Sequence, residues 1–557
     1  MDLDLDLERL ADEYLTGAMT ADPFAATVAG IPGYDAEVPD PSRAARLAWA
    51  RRLDSIAERA SAIDPSALGP TDRATRRVLL VTARNDSAQV AAALDEFAVS
   101  ATVTGAQTTL ISIVPKAPMA TMRQALDYRA RCAKLGGWLD GVGERYRQAA
   151  RDGRTPTERG TRQAVAQIDA ILEAPVESDP LVTAALRSDR ERIDLRAEVA
   201  DVVTAAVRPA LRRLRDTMEQ DLLPVGRPDD RVGVCHVPGG REGYVAAVRA
   251  HTTTGMDPDE IHAVGTRLVA GLREELSELG GRALGARDVD EVLGRLRHDP
   301  ALRFREAGEI VASATTALAR ANEALPDWFT AYDIADCVVT EMSEFEASDG
   351  VLGYYVPPAT DGSRPGAHCI NTHDPTKRPR FEYETLAFHE SVPGHHLQTA
   401  VAQGLTELPM FRRVGYIPAY SEGWALYTER LCDEMGLYSG DLERLGMLSF
   451  DAWRACRLVV DTGMHHLGWS RQQAIDYMLA NTALSPGNIA NEVDRYIAWP
   501  GQALGYMIGR LRIRSLREEA ERRLGPRFEI GDFHDAVLGQ GAVPLDVLEE
   551  VVLASCR

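Results

Sequence analysis

Apolar positions recur at helical spacing through most of the chain. Residues 47–60, 72–97, 122–150 and 181–222 set stripes of Leu, Ala and Val against Arg- and Glu-rich faces, the period of amphipathic helices. Pro and Gly clusters at 39–41, 153–156 and 224–228 punctuate them. Asp257 marks a helix start: it can cap, Pro258 suits the first helical position and Glu260 completes a capping box, with the helix running towards Leu279. Strand signals are few. CVVTE at 337–341, a short run at 354–357 and AHCINT at 367–372, after the turn-rich DGSRPG, predict a small β-sheet. The pattern therefore predicts a mostly α fold. A soft break at 224–240 separates a helical N-terminal half, 1–230, from a half, 231–557, that carries the strands and the chemistry. The two halves read as one integrated unit.

Composition narrows the function classes. The 557 residues are 45% hydrophobic, enough to bury a large core. Net charge is -21 and the pI is near 5.1, a surface that repels phosphate backbones and anionic membranes and so excludes nucleic acid as a partner. Such a surface is compatible with a monomer or a homodimer. The seven cysteines form no CxxC pair, which fits reduced thiols. The opening MDLDLDLERLADEYL lacks the basic start and apolar core of a signal peptide, and no long apolar run exists. The expectation is a cytoplasmic protein without a membrane partner.

The chemistry concentrates at residues 388–396, FHESVPGHH, where three of twelve histidines fall together. His389 followed by Glu390 suggests a zincin-type site, in which paired imidazoles hold zinc and the adjacent Glu activates water. On a straight helix the spacing fails. His395 would lie about 120° around the axis from His389, and His396 about 10 Å along it, whereas Zn–N bonds are only about 2.0–2.1 Å. Pro393 removes a helical hydrogen bond and Gly394 permits a reversal, so a bulge can swing a later histidine back. His395 is the expected second ligand and His396 the alternative. A third ligand is needed. Glu422, in the segment YSEGWALYTERLCDEM, is the candidate, in a first helical turn that Ser421 can cap; an ordinary first-turn Glu favoured by the helix dipole is the competing reading. Glu429, seven residues on, shares its face as a supporting carboxylate or alternative ligand. His368 and His373 are lone histidines near a turn and are not expected to bind metal.

The runs ETLAFHESVPGHHLQ, YSEGWALYTE, RLVVDTGMHHLGWS and EVDRYIAWPGQALGYMIG, with DPFAATVAGIPGYD near the N-terminus, resemble a bacterial family, domain of unknown function 885 (DUF885), and its HExxPGHH pattern. That family is similar to mostly helical zinc peptidases of the thimet-oligopeptidase and carboxypeptidase Taq type. The resemblance implies a large helical, zincin-like fold with a central cleft, a short sheet beside the metal helix and one Zn2+ ion per chain. His389 and His395 match the paired histidines, Glu390 the glutamate, and Glu422 the Glu ligand from the following helix.

Hydrolysis also needs donors for a developing oxyanion. His465 and Tyr496 are candidates by residue type, and the resemblance suggests the same pair; a packed His and a core Tyr are the competing readings. Arg495 can grip a substrate carboxylate or serve a salt bridge. Asp461, four residues before His465, can orient that imidazole, and Arg454 and Arg457 can pair with core acids. The segment 366–371 is expected to act as an edge strand that pairs with the substrate backbone. Together these predict a zinc-dependent hydrolase cleaving an amide or peptide bond of a small peptide or N-acyl amino acid. Glu390 is the base and His465 and Tyr496 steady the oxyanion. A zinc-dependent lyase or tailoring enzyme acting on a small polar metabolite would use the same residues. A non-catalytic helical binding protein is the remaining reading.

Overall fold

The computed structural model describes residues 3–102, 104–185, 193–330, 332–342, 351–358 and 364–556. The chain is mostly helical with one small three-stranded sheet. Local chemistry sets many helix starts. Asp257 accepts from the Glu260 N–H while Glu260 reaches back, and the helix extends past Leu279 to Leu284, where Gly285 closes it in the left-handed region. Thr121 and Gln124 make the same reciprocal cap on Met122–Arg151. The 72–97 pattern is a helix over Pro70–Ala92, ended by a left-handed Ala93 and continued as a short 3-10 turn, Leu94–Phe97.

The 181–222 pattern is not one regular helix. Pro180–Ala184, Ile193–Val202 and Arg208–Asp216 are α-helical, with π turns over Val203–Val207 and Thr217–Leu222, and 186–192 lie outside the described residues. Pro209 explains the first π turn. It lacks the N–H that would reach the Ala205 carbonyl and its ring crowds that carbonyl, so the turn widens.

The expected strands are β1 (Cys337–Glu341), β2 (Gly353–Val356) and β3 (Gly366–Ile370). The sheet order is β1-β3-β2, with β1 parallel and β2 antiparallel to β3. β3 is thus the central strand. Its backbone is paired on both sides, so the 366–371 segment cannot serve as an edge for a substrate.

Two apolar cores form. One is built within residues 24–222 from Tyr128, Leu135, Leu139 and Leu211 and their neighbours. The larger joins Leu7, Leu53 and Leu79 to residues as far as Val552, and encloses Phe388, Trp424 and Leu458. In it the helix Asp441–His465, here the long helix, packs on Pro258–Leu284, where a Cβ at Gly265 would come within 2.7 Å of the Leu458 Cβ. The helix Pro418–Glu434, the glutamate helix, crosses Leu504–Leu524 through a close approach of backbones: a Cβ at Gly423 would lie 2.6 Å from Gly509. No helix among the described residues is long and apolar enough to cross a membrane.

Candidate metal centre

The motif helix, Tyr383–Glu390, stops where Pro393 and Gly394 intervene, and a new helix begins at His395 and runs to Gly404. The break is tight. Gly394 donates to the Phe388 carbonyl at 3.0 Å and His396 to Ser391 at 3.0 Å, while the Trp424 indole donates to the Pro393 carbonyl at 2.9 Å. A Cβ on Gly394 would overlap the carbonyl oxygens of His389 and Phe388, so only glycine fits. This turn brings the two rings together, with His389 and His395 centroids 4.8 Å apart.

Glu422 completes the group. Its Oε2 lies 3.6 Å from His389 Nε2 and 3.4 Å from His395 Nε2, and the three ligand atoms all lie within 4.8 Å of one another. The glutamate helix starts earlier than the sequence suggests. Pro418 takes the first position and the Ile417 carbonyl accepts from both Tyr420 and Ser421, so Ser421 is inside the first turn rather than its cap, and Glu422 follows it. Behind the group, Glu429 Oε1 holds His389 Nδ1 at 2.8 Å, which fixes the ring and leaves Nε2 facing Glu422. Glu429 is fully buried, and its Oε2 has no partner among the described residues.

The charges reinforce one another. Burial pushes the His389 imidazolium down, but Glu422 and Glu429 outweigh it and lift its pKa to about 9. Burial likewise opposes ionised Glu422, but the His395 charge and contacts with both imidazoles hold its carboxyl well below the usual range. Glu390 is partly exposed; burial raises its carboxyl pKa, and the charges of His389 and His395 only partly offset this.

The alternative histidine is placed elsewhere. His396 Nε2 donates to the Ala335 carbonyl at 2.7 Å and the Tyr355 hydroxyl donates to Nδ1 at 3.2 Å, so both nitrogens are used. His368 is fully buried in β3, neither ring nitrogen has a partner among the described residues, and burial pushes its pKa down to about 3. His373 lies beside Asp374 at 3.7 Å, half exposed.

Three expected site residues are committed to other partners. His465 accepts from the Val234 N–H at 3.2 Å and donates to the Tyr496 carbonyl at 3.0 Å; burial lowers its pKa to about 4, and it has no N–H left for an oxyanion. The buried Tyr496 hydroxyl donates to Glu492 at 2.5 Å and accepts from Arg457 at 2.9 Å and Trp453 at 3.0 Å, so its proton is spent. Arg495 gives Nε and Nη2 to Glu492 and Nη1 to Gln502 at 2.8 Å, the salt-bridge reading rather than a free grip. Asp461 does not orient His465. It accepts from Tyr244 at 2.6 Å and from the Gly501 N–H at 3.1 Å.

Sequence reasoning missed Tyr416. The residue is 58% exposed, yet its hydroxyl donates to Glu422 Oε1 at 2.5 Å. The adjacent Gly415 and the Pro418 helix start mark a chain turn here, the one local signal available.

The family model described as "Bacterial protein of unknown function (DUF885)" matches residues 23–552. The chain belongs to the DUF885 family. No curated protein matches it. Among solved structures, one described as a "putative lipoprotein" from Colwellia psychrerythraea has a TM-score of 0.93 at 28% identity, covering 100% of both chains. Another, described as a "putative lipoprotein of unknown function" from Shewanella oneidensis, has a TM-score of 0.73 at 17% identity, covering 98% of this chain and 99% of that one, and shares the fold.

Proposed function

We propose that this DUF885 protein is a zinc-dependent hydrolase with a zincin-like active site. Its substrates are small peptides or N-acyl amino acids. The observation that carries the reading is the spacing of the ligand atoms. A tetrahedral zinc site with bonds of about 2.0–2.1 Å sets neighbouring ligand atoms about 3.3 Å apart, and Glu422 Oε2 stands 3.4 and 3.6 Å from the two Nε2 atoms. The donor set of two imidazoles and one carboxylate, with a buried carboxylate behind the first imidazole, is that of a catalytic site that keeps an open position.

Zinc held there supplies a Lewis acid for the scissile carbonyl and makes water a nucleophile near neutral pH. Glu390, adjoining His389, takes the proton from the attacking water and returns it to the departing amine. A carboxyl raised by burial suits a group that must both accept and give that proton. Tyr416 takes the place of His465 and Tyr496 as the proposed oxyanion donor: its hydroxyl bonds Glu422 Oε1, the oxygen not facing the imidazoles, and would exchange that single acceptor for the carbonyl oxygen. The water oxygen joins the carbonyl carbon, the C–N bond breaks, and an acid and an amine leave.

Glu390→Gln tests this. Purified with zinc and offered dipeptides and N-acyl amino acids, the native protein should hydrolyse members of the panel. The variant should keep its zinc and lose about 10²-fold or more in kcat. Equal turnover by the variant would remove Glu390 from the mechanism. The two solved neighbours are described as lipoproteins, which is a statement about those proteins. Membrane fractionation of the native host decides between that setting and the cytoplasm.

A further inference from the structure

Arg454 is a charge in the wrong place for a structural residue. It sits on the long helix, 5% exposed, with its guanidinium 4.2 Å from the Phe450 ring centroid and 4.3 Å from that of Trp453. No hydrogen bond or ion pair holds it among the described residues, and its Nε and Nη1 are fully buried without a partner. Burying an unpaired charge is costly, so such a group is normally paired in some state of the protein. The acids that act on it include Glu429 and Glu422 of the candidate metal centre, the adjacent Glu390 and the buried Glu382, while Arg457 opposes it. The first two are already bound to the histidines and to Tyr416.

Arg457, three residues later, lies against the same Trp453 ring at 4.6 Å. Its Nε and Nη2 serve Tyr496 and Glu492, but Nη1 is buried without a partner. Two guanidinium groups with unspent N–H donors therefore contact one indole, and the first of them also feels the carboxylates of the candidate metal centre. Aromatic walls and planar donor forks fit a flat anion, and a carboxylate matches an Arg fork in two parallel bonds.

We propose that Arg454, helped by Nη1 of Arg457, receives a carboxylate of the substrate. This rests on the hydrolase reading and narrows it to acids whose free carboxylate lies close to the scissile amide, such as C-terminal dipeptide units and N-acyl amino acids. Arg495 does not take this role because Glu492 and Gln502 hold it.

The test is calorimetric titration of the zinc-supplied protein with N-acetyl-L-alanine and with its carboxamide, N-acetyl-L-alaninamide, in the native chain, Arg454→Met and Arg454→Lys. Zinc content and thermal melting are measured on each sample. The native protein should bind the carboxylate about tenfold or more tighter than the amide. Arg454→Met should bring that ratio near unity at unchanged zinc content, and Arg454→Lys should fall between. No preference in the native chain, or a preference intact in Arg454→Met, would overturn the proposal. If Arg454→Met does not fold, the native ratio and Arg454→Lys decide. Competition by inorganic phosphate as strong as by the carboxylate would also overturn it, in favour of a phosphate site. Failure of the hydrolase reading shows separately, as protein without zinc or without turnover.

Discussion

Glu429 offers the sharpest perturbation of the proposed metal centre, because it touches the proposed ligand His389 from outside the three-residue group. Its Oε1 accepts from His389 Nδ1 at 2.8 Å in a fully buried setting. Carboxylates in this position fix the ring and raise its basicity, and their loss costs about 10–100-fold in metal affinity, or about 1.4–2.7 kcal/mol. Glu429→Gln keeps an acceptor oxygen but loses the charge, so it should sit near the lower end; Glu429→Ala should sit near the upper. The proton works the other way. In the metal-free protein Glu422 and Glu429 hold His389 protonated to about pH 9, and zinc must displace that proton. At pH 7.5 this costs the native protein about 2 kcal/mol, at about 1.4 kcal/mol per unit. Removing Glu429 lowers the imidazolium pKa and relieves part of that cost. The affinity gap between native and Glu429→Ala should therefore widen as pH rises from 7.5 to 9.5. Chelator competition at both pH values measures it. Calorimetry in buffers of different ionisation enthalpy should count fewer protons released by the variant at pH 7.5. Native zinc affinity in Glu429→Ala at both pH values would refute the reasoning.

Tyr416→Phe removes the proposed oxyanion donor from an exposed loop; kcat should fall about 10²–10³-fold with zinc content and melting temperature unchanged, and an unchanged kcat would return the role to another donor. Gly394→Ala forces a Cβ onto the carbonyls of His389 and Phe388, so zinc affinity should collapse while far-ultraviolet circular dichroism stays helical. Asp461 is buried with no ion pair among the described residues, and burial raises its pKa to about 7 against bonds from Tyr244 and Gly501 and the charge of Arg495. The folded chain then holds a proton that the unfolded chain has lost above about pH 4. Stability should fall as pH rises from about 4 to about 7 and level off beyond. Asp461→Asn should melt about 2 °C above native at pH 8 and close to it at pH 4, and a lower melting point at pH 8 would show that the carboxylate is stabilising.

What the sequence discloses and what it hides follow from the range of the interactions. Helix caps are local, so Asp257 with Glu260 announces its own helix. The three strands are legible from residue type, but their order is not, because β3 takes its central place through pairing with segments far apart in the chain. The spacing of His389 and His395 around Pro393-Gly394 is local too, and a turn there is the one way to bring the rings together. The oxyanion donors are different. Whether a Tyr or His keeps a free proton depends on neighbours from other helices: Val234 and Tyr496 take His465, and Trp453 and Arg457 crowd Tyr496. One clue was readable. Glu492 stands four residues before Tyr496, on the same helical face, and accepts its hydroxyl's hydrogen bond. By the same rule Asp461 was paired with His465, and there a distant residue, Tyr244, won instead. Arg454 conveys the complementary lesson, since an absent partner is visible only when every neighbour is in place.

The central claim is that His389, His395 and Glu422 hold a zinc ion. Elemental analysis of the native protein, His395→Ala and His396→Ala, each purified without added metal and again after zinc is supplied and excess removed, tests it most directly. The account predicts about one zinc per chain in the native protein and in His396→Ala, and none retained by His395→Ala. Native protein that stays metal-free after zinc is supplied, or His395→Ala that keeps its zinc, would contradict it.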